Sequence, residues 1–160
     1  MLYQGFDAFI NPDSRVLILG SFPSVKSREE GFYYGNPQNR FWHVLAAFFG
    51  NALPKTVEEK KTLLIKNKIA LWDVVTACEI VGSMDKDIRN PRIADIPALV
   101  KTHALSAILT NGKTAYTLFI KHFPALAPLC TALPSTSPAN ARFSATVWHD
   151  ALKTACMQNT

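Results

Sequence analysis

The loop spanning residues 31–42 combines aromatic, amide and basic side chains between Gly and Pro residues. Three consecutive aromatic residues lie in this loop, and Asn39 and Arg40 follow them at the start of a predicted helix. Aromatic rings beside a basic side chain are suited to stacking on a nucleobase, although such rings also pack against a core. An amide in the first turn of a helix has an alternative role as a cap for the backbone. Phe41 and Trp42 are predicted to be core residues.

Three further segments are rich in small polar residues, and each follows a predicted strand: residues 20–24, 110–113 and 134–140. In parallel α/β sheets the ligand lies outside the carboxyl ends of the strands, so these segments are expected to border a site. Asn111 offers a donor and an acceptor to the edge of a base, or it caps the helix that follows. The Ser and Pro residues of 134–140 suit contacts with phosphate groups, or they form a plain surface turn.

The apolar pattern of the chain predicts the elements that hold these segments. Short apolar runs indicate buried strands at residues 15–19, 69–75, 104–109 and, more weakly, 127–133. Amphipathic spacing predicts helices at 38–49 and 57–68, a helix after Gly112, and a last helix at 139–157. Strands that alternate with helices in this way predict an α/β sandwich around a short parallel sheet.

Composition limits the class of protein. The chain has 160 residues, of which 48% are apolar and 18% charged, so one globular domain over 1–160 is expected and a disordered or fibrous protein is excluded. The net charge of +5 favours polyanionic partners such as nucleic acid. Three widely spaced cysteines show no metal or disulfide pattern and fit a reducing compartment. Because neither a membrane span nor a signal peptide is recognisable, we expect a cytoplasmic protein with no membrane partner.

Six segments, in order along the chain, carry a resemblance to a known family. They are 16–24 (VLILGSFPS), 31–42 with its P-x-N-x-F-W core, 71–74 (LWDV), 82–85 (GSMD), 111–116 (NGKTAY) and 133–140 (LPSTSPAN). Each segment alone is weakly specific, but together they span most of the chain. The sequence resembles the uracil-DNA glycosylase superfamily, and within it the hypoxanthine-DNA (deoxyinosine) glycosylase branch.

The resemblance implies a three-layer α/β/α sandwich with a central four-stranded parallel sheet, acting without a metal or another cofactor. It implies a base that is flipped out of DNA, stacked on Tyr34, and released by water that the catalytic residue Asn39 positions. Phe22 stands near the place where related enzymes carry an Asn in the first turn. Leu133 stands where related branches begin a motif with His or Asn, so an oxyanion partner for uracil is missing and hypoxanthine is favoured.

The resemblance and the strand-end argument together give two sets of site residues. The expected substrate-binding residues are Gly20, Ser21, Phe22, Pro23, Tyr34 and Asn111. The expected DNA-binding residues are Ser24, Lys113, Ser135, Thr136, Ser137, Pro138 and Asn140.

Cleavage of an N-glycosidic bond makes demands that can be stated without the family. The transition state carries positive charge on the sugar and negative charge on the departing base, as in other sugar hydrolyses. It therefore needs a positioned water on one side and hydrogen-bond donors to the base on the other. Backbone N–H groups at 21–24 are candidate donors. Asp73 is the second candidate for activating the water, and Asp85 and Asp87 are the other carboxylates near the predicted strand ends.

The resemblance implies a monomeric, monofunctional DNA glycosylase of base excision repair, whose partner is DNA containing a deaminated base. Hypoxanthine from deoxyinosine is the favoured base. A monofunctional mechanism is expected because no lysine stands in the catalytic motifs to form a Schiff base with the sugar; Lys113 is the only candidate. Two alternatives stay open: a glycosylase specific for uracil or for G·T and G·U mismatches, and a catalytically silent nucleic-acid-binding α/β domain.

Overall fold

Four parallel strands form the centre of the fold, and their carboxyl ends meet at one edge. The computed structural model describes residues 2–80 and 88–157. Its strands are β1 (Leu2–Gln4), β2 (Val16–Gly20), β3 (Ile69–Asp73), β4 (Val75–Ile80), β5 (Ile88–Ile93), β6 (Ala107–Asn111) and β7 (Cys130–Leu133). The parallel sheet has the order β3-β2-β6-β7. The predicted four-stranded parallel sheet is therefore confirmed.

Helices cover both faces of this sheet. They are α1 (Val25–Glu30), α2 (Phe41–Phe49), α3 (Val57–Lys66), α4 (Ile96–Thr102), α5 (Lys113–His122) and α6 (Ala145–Met157), with a 3-10 helix at Pro124–Leu129. Alternate residues of a strand point to opposite faces. Val16 and Ile18 accordingly pack with α2, α3 and α6, whereas Leu17 and Leu19 pack with α4 and α5. The three-layer α/β/α prediction is confirmed.

The register of the sheet brings the predicted segments together. Gly20, the last residue of β2, lies opposite Asp73, the last residue of β3. On the other side, Asn111 at the end of β6 lies opposite Leu133 at the end of β7. Because all four strands run in the same direction, the turns that follow them form one continuous rim.

A second sheet was not predicted. It is antiparallel, has the order β1-β4-β5, and pairs the start of the chain with the segment after β3. β5 reads IRNPRI and is exposed at its four central residues, so it lacks the apolar alternation of a half-buried strand. The predicted strand at 69–75 is divided, because β3 ends at Asp73 and Val75 begins β4. The segment 82–85 and the candidate carboxylates Asp85 and Asp87 lie outside the described residues.

The predicted start of the last helix is wrong. The segment after Pro138 forms a turn in which Asn140 Oδ1 accepts a hydrogen bond from the Arg142 N–H at 3.1 Å. Helix α6 begins later, where the Ser144 hydroxyl accepts from the Val147 N–H at 3.3 Å. Val147, in the first turn of α6, is 44% exposed and does not belong to the inward face of this helix. Asn and Ser compete with helix for backbone donors, which explains the later start.

Trp148 connects α6 to the loop after β7, and its replacement tests this connection. The indole is fully buried, and its N–H donates to the Pro134 carbonyl at 2.8 Å. We expect Trp148→Phe to lower the free energy of unfolding by about 2–3 kcal/mol, because it removes a hydrogen bond and leaves a cavity. Urea denaturation measures the loss. Trp72→Phe is the control, since its half-buried indole makes the same type of bond, to Phe6 at 3.0 Å. An equal loss of unfolding free energy in both variants would contradict the role of Trp148 in connecting α6 to the loop after β7.

Candidate functional site

A cavity of about 830 Å³ opens at the carboxyl edge of the parallel sheet. All the site residues predicted from the sequence line it: Gly20, Ser21, Phe22, Pro23, Ser24, Tyr34, Asn39, Asn111, Lys113, Ser135, Thr136, Ser137, Pro138 and Asn140. They come from four separate stretches of the chain. The structure thus brings the predicted residues to one place.

The charges around the cavity are unequal. Among the described lining residues, Asp73 is the one carboxylate, whereas Arg28, Lys113 and Arg142 are cations. Asp73 is only 4% exposed. Among the described residues, a buried carboxylate therefore lies in a cavity lined otherwise by cations.

Gly20 permits the closest approach in the site. A Cβ atom placed on Gly20 would lie 2.6 Å from Asp73 Oδ1 and 3.1 Å from the Tyr34 hydroxyl. The carboxylate and the phenol thus converge on the space that a side chain at position 20 would need. Burial raises the pKa of the neighbouring Tyr33, and the negative charge of Asp73 raises it further. Tyr33 therefore stays a hydrogen-bond donor, to the Asp7 carbonyl at 2.7 Å.

Tyr34 is held in an unusual backbone conformation. Its φ is +54°, in the left-handed region that bulky residues rarely adopt. The Trp42 indole N–H donates to the carbonyls of both Tyr33 and Tyr34, each at 3.1 Å. The Tyr34 ring stacks on Phe41 with a centroid separation of 4.0 Å. Such conformations persist only where surrounding contacts fix them, and Trp42 and Phe41 do so here.

An ion pair contacts Trp42, the residue that holds the loop carrying Tyr34. Lys60, 6% exposed, donates to both carboxylate oxygens of Glu30 at 3.3 Å. Its ammonium lies 5.4 Å from the Trp42 ring centroid, within the range of a cation–π contact. Lys60 belongs to α3 and Glu30 to α1, so the pair joins two helices beneath the loop that carries Tyr34.

Asn39 lies at the start of α2 and is half-buried. Its Oδ1 accepts a hydrogen bond at 2.9 Å from the Phe41 N–H, the first backbone donor of α2, although the N-cap position itself belongs to Arg40. Its side-chain NH₂ makes no hydrogen bond among residues 2–80 and 88–157. An amide has two donors and two acceptor lone pairs, so capping leaves Asn39 with groups that can bind a ligand or a water.

Arg40 binds the loop after β7 and does not join the aromatic residues as the sequence suggested. Its Nη2 donates to the carbonyls of Ser137 at 2.8 Å and Asn140 at 2.9 Å. Its guanidinium also lies 4.5 Å from the Phe143 ring centroid. Arg40 therefore connects the start of α2 to residues about a hundred positions later in the chain.

Asn111 is held by the same loop. Its Nδ2 donates to Thr136 Oγ1 at 2.9 Å, and its Oδ1 accepts from the Thr136 N–H at 3.0 Å. Thr136 is fully buried, so its hydroxyl faces Asn111 and not the solvent. The position that caps α5 belongs to Gly112, so the helix-capping alternative for Asn111 is wrong. One amide hydrogen and one lone pair of Asn111 remain for a ligand.

The turn after β2 is ordered by helix α1. Ser24 caps this helix, since its hydroxyl accepts from the Ser27 N–H at 3.1 Å. Ser21 and Pro23 are buried, and Phe22 is half-buried. The backbone of 20–24 is therefore fixed at the wall of the cavity.

The lining residues that the sequence reasoning missed include Arg28, Tyr116 and Arg142. Tyr116 lies one helical turn after Lys113, and Arg142 lies two residues after the predicted loop, so their neighbours could have indicated them. Arg28 lies in a highly charged stretch that is typical of a solvated helix face. Within the described part of the chain, no group of three His, Cys, Asp or Glu side chains could hold a metal ion. No helix there is long and apolar enough to cross a bilayer.

Comparisons with known proteins show which family the chain is similar to. A family model described as the uracil DNA glycosylase superfamily matches residues 8–157. A protein of Methanosarcina acetivorans named hypoxanthine DNA glycosylase is 38% identical over 149 residues, covering 90% of this chain and 92% of the relative. One of the same name from Methanosarcina barkeri is 36% identical over 71% of this chain and 73% of its own. A solution NMR structure from Methanosarcina acetivorans, named as a candidate uracil DNA glycosylase, has a TM-score of 0.82 at 34% identity, covering 97% of this chain and 99% of that one.

Gly20→Ala tests the convergence of Asp73 and Tyr34. The added methyl would displace the Asp73 carboxylate, so we expect the free energy of unfolding to fall by about 1–3 kcal/mol. In an Asp73→Ala background the same methyl meets no carboxylate, so the loss should be smaller there. Urea denaturation of the two single variants and the double variant gives this interaction energy. Strictly additive losses would contradict the proposed contact.

Proposed function

The chain belongs to the uracil DNA glycosylase superfamily, and on that premise we propose that it is a monofunctional DNA glycosylase of base excision repair. It flips a deaminated base out of DNA and hydrolyses the N-glycosidic bond, with hypoxanthine in deoxyinosine as the favoured base. The observation that carries the proposal is one cavity bordered by an aromatic ring, an amide and a carboxylate: Tyr34, Asn39 and Asp73.

The proposed reaction divides the work between the two sides of the glycosidic bond. Asn39 holds the attacking water through the amide groups that its hydrogen bond with the Phe41 N–H does not use. The developing positive charge on the sugar is stabilised by the Asp73 carboxylate, the one negative charge among the described lining residues. On the other side, backbone N–H groups of 21–24 donate to the departing base. Preorganised donors of this kind act where charge develops, which is why they accelerate the reaction.

Tyr34 is the proposed stacking platform for the flipped base. Phe41 already covers one face of its ring, so the base stacks on the face toward the cavity. Asn111 contributes its remaining amide hydrogen to the edge of the base. Flipping costs least for mispaired bases, so part of the selectivity for lesions comes from the DNA itself.

The preference for hypoxanthine has two supports. Two relatives that cover most of the chain carry the name hypoxanthine DNA glycosylase. Leu133, 4% exposed, is an apolar side chain at the cavity wall where the related branches place His or Asn. An apolar group cannot bind the negative charge of a departing uracil, so strong uracil activity is not expected.

DNA contacts are proposed for the accessible residues of the rim. Lys113 and Pro138 are exposed, and Ser135, Ser137 and Asn140 are half-buried. Ser24 is exposed on the opposite wall. Thr136 acts indirectly, because its buried hydroxyl fixes the loop through Asn111. We propose a monomer, and the free cysteines suit the cytoplasm.

Base release from matched oligonucleotides tests the function. Duplexes carry deoxyinosine, deoxyuridine or a G·T mismatch, and alkali converts abasic sites to strand breaks that a gel resolves. The proposal requires release from deoxyinosine well above the other two substrates. Release from deoxyuridine alone would assign the protein to the uracil-specific alternative, and no release would leave a silent binding domain.

Asn39→Ala is expected to lower the single-turnover rate of hypoxanthine release by about 100- to 10,000-fold. Loss of the cap contact should cost about 1 kcal/mol of stability, so the variant still folds. DNA affinity by fluorescence anisotropy should change little. Gln38→Ala, an exposed neighbour, is the control. Asp73→Asn separates the two candidates for water activation: a larger rate loss there than in Asn39→Ala, with a flattened pH profile, would move that role to Asp73.

Tyr34→Ala is expected to weaken binding to a deoxyinosine duplex by about 1–3 kcal/mol, the range for loss of one base–aromatic stack. Binding to undamaged duplex should change much less, because no base is flipped there. Anisotropy titrations with the two duplexes give the difference. Tyr34→Phe keeps the ring and should retain most of the affinity. Equal losses on both duplexes would mean that Tyr34 only packs against Phe41.

A further inference from the structure

Arg28 is a cation of the cavity wall that packs against two aromatic rings. It lies in the last turn of α1 and is half-buried. Its guanidinium carbon lies 4.8 Å from the ring centroid of Tyr3 and 5.6 Å from that of Phe22. The two rings fix the group at the wall of the cavity, on the side of the turn that follows β2.

This guanidinium has no hydrogen-bond or ion-pair partner among residues 2–80 and 88–157. Its Nε is buried and makes no hydrogen bond. The adjacent Glu30 is paired with Lys60 instead. Arg40, by contrast, donates two hydrogen bonds to loop carbonyls, so an unsatisfied guanidinium is not the rule in this protein.

An unpaired, partly buried cation is costly, because burial removes its hydration without returning a counter-charge. Contacts with aromatic faces compensate only part of this cost. A Met side chain would fill the same space between two rings without any charge. The arrangement is therefore unfavourable for the free protein and becomes favourable when an anion enters the cavity.

We propose that Arg28 binds a phosphate group of the DNA backbone, a contact that rests on the proposed function. A phosphate carries the full negative charge that neutralises the guanidinium, and its oxygens match the fork of guanidinium donors. Lys113 and Arg142 border the cavity from the segments that follow β6 and β7. Arg28 adds a cation on the wall that follows β2, so the described cations border the cavity from the segments that follow three different strands.

The salt dependence of DNA binding tests this proposal. The probe is a duplex with a tetrahydrofuran abasic analogue, which the enzyme cannot process. Each phosphate contact contributes about −0.9 to the slope of log Kobs against log[salt]. Arg28→Met should reduce the magnitude of the slope by about 0.9 and weaken binding about tenfold at low salt. Arg28→Lys keeps a positive charge and should retain most of the slope. Arg92→Met, an exposed Arg on β5 outside the cavity, is the matched control and should leave the slope unchanged.

Thermal unfolding separates binding from a structural role. If Arg28 is kept for DNA, Arg28→Met should have the same or a higher Tm in the absence of DNA. A lower Tm with an unchanged slope would overturn the proposal and assign Arg28 to packing. If Arg28→Met weakens binding only to a deoxyinosine duplex and leaves the salt slope unchanged, the proposal is also overturned. Arg28 would then contact the base and not a phosphate. Failure of the wild type to release hypoxanthine contradicts the proposed function, whereas release with identical slopes contradicts only the role of Arg28.

Discussion

The missing side chain at Gly20 is the constraint on which the site depends. The parallel register places Gly20 opposite Asp73, and any Cβ at position 20 would collide with the Asp73 carboxylate and crowd the Tyr34 hydroxyl. Gly at position 20 therefore avoids a displacement of the Asp73 carboxylate. Because β2 is a central strand of the sheet, the close approach at Gly20 fixes the positions of Asp73 and Tyr34. The cavity can therefore hold a carboxylate beside an aromatic ring.

The loops around the cavity are held by one type of hydrogen bond, in which a side-chain N–H donates to a loop carbonyl. Trp42 does this for the loop that carries Tyr34, and Trp148 and Arg40 do it for the loop after β7. Asn111 adds a two-point contact with Thr136. Functional loops are usually mobile unless a scaffold fixes them. Here the donors sit on or at the starts of packed helices, so the loops acquire the rigidity of the core.

The electrostatics of the cavity follow from the same arrangement. Asp73 is buried, and the other charged residues among the described part of the lining are cations, so this part of the cavity attracts a polyanion while holding a carboxylate in its interior. Positive charge around the opening favours association with DNA. An interior carboxylate suits a reaction that generates positive charge on a sugar. The two requirements are met at different depths: positive charge lies around the opening of the cavity, and the carboxylate lies in its interior.

The apolar pattern of the sequence predicts the parallel sheet and a candidate site at its carboxyl edge. Short apolar runs such as 16–19 and 107–109 are buried on both faces, and this leaves a local signal; the small polar residues after them mark the strand ends. The partners of Arg40 and Asn111, the conformation of Tyr34 and the second sheet could not be predicted in this way, because they depend on contacts made in the folded chain. Arg40 binds carbonyls 97 and 100 residues away, and β5 pairs with β4 without an apolar pattern of its own. Burial periodicity is a property of neighbouring residues, whereas a hydrogen bond between distant segments exists only after the chain has folded.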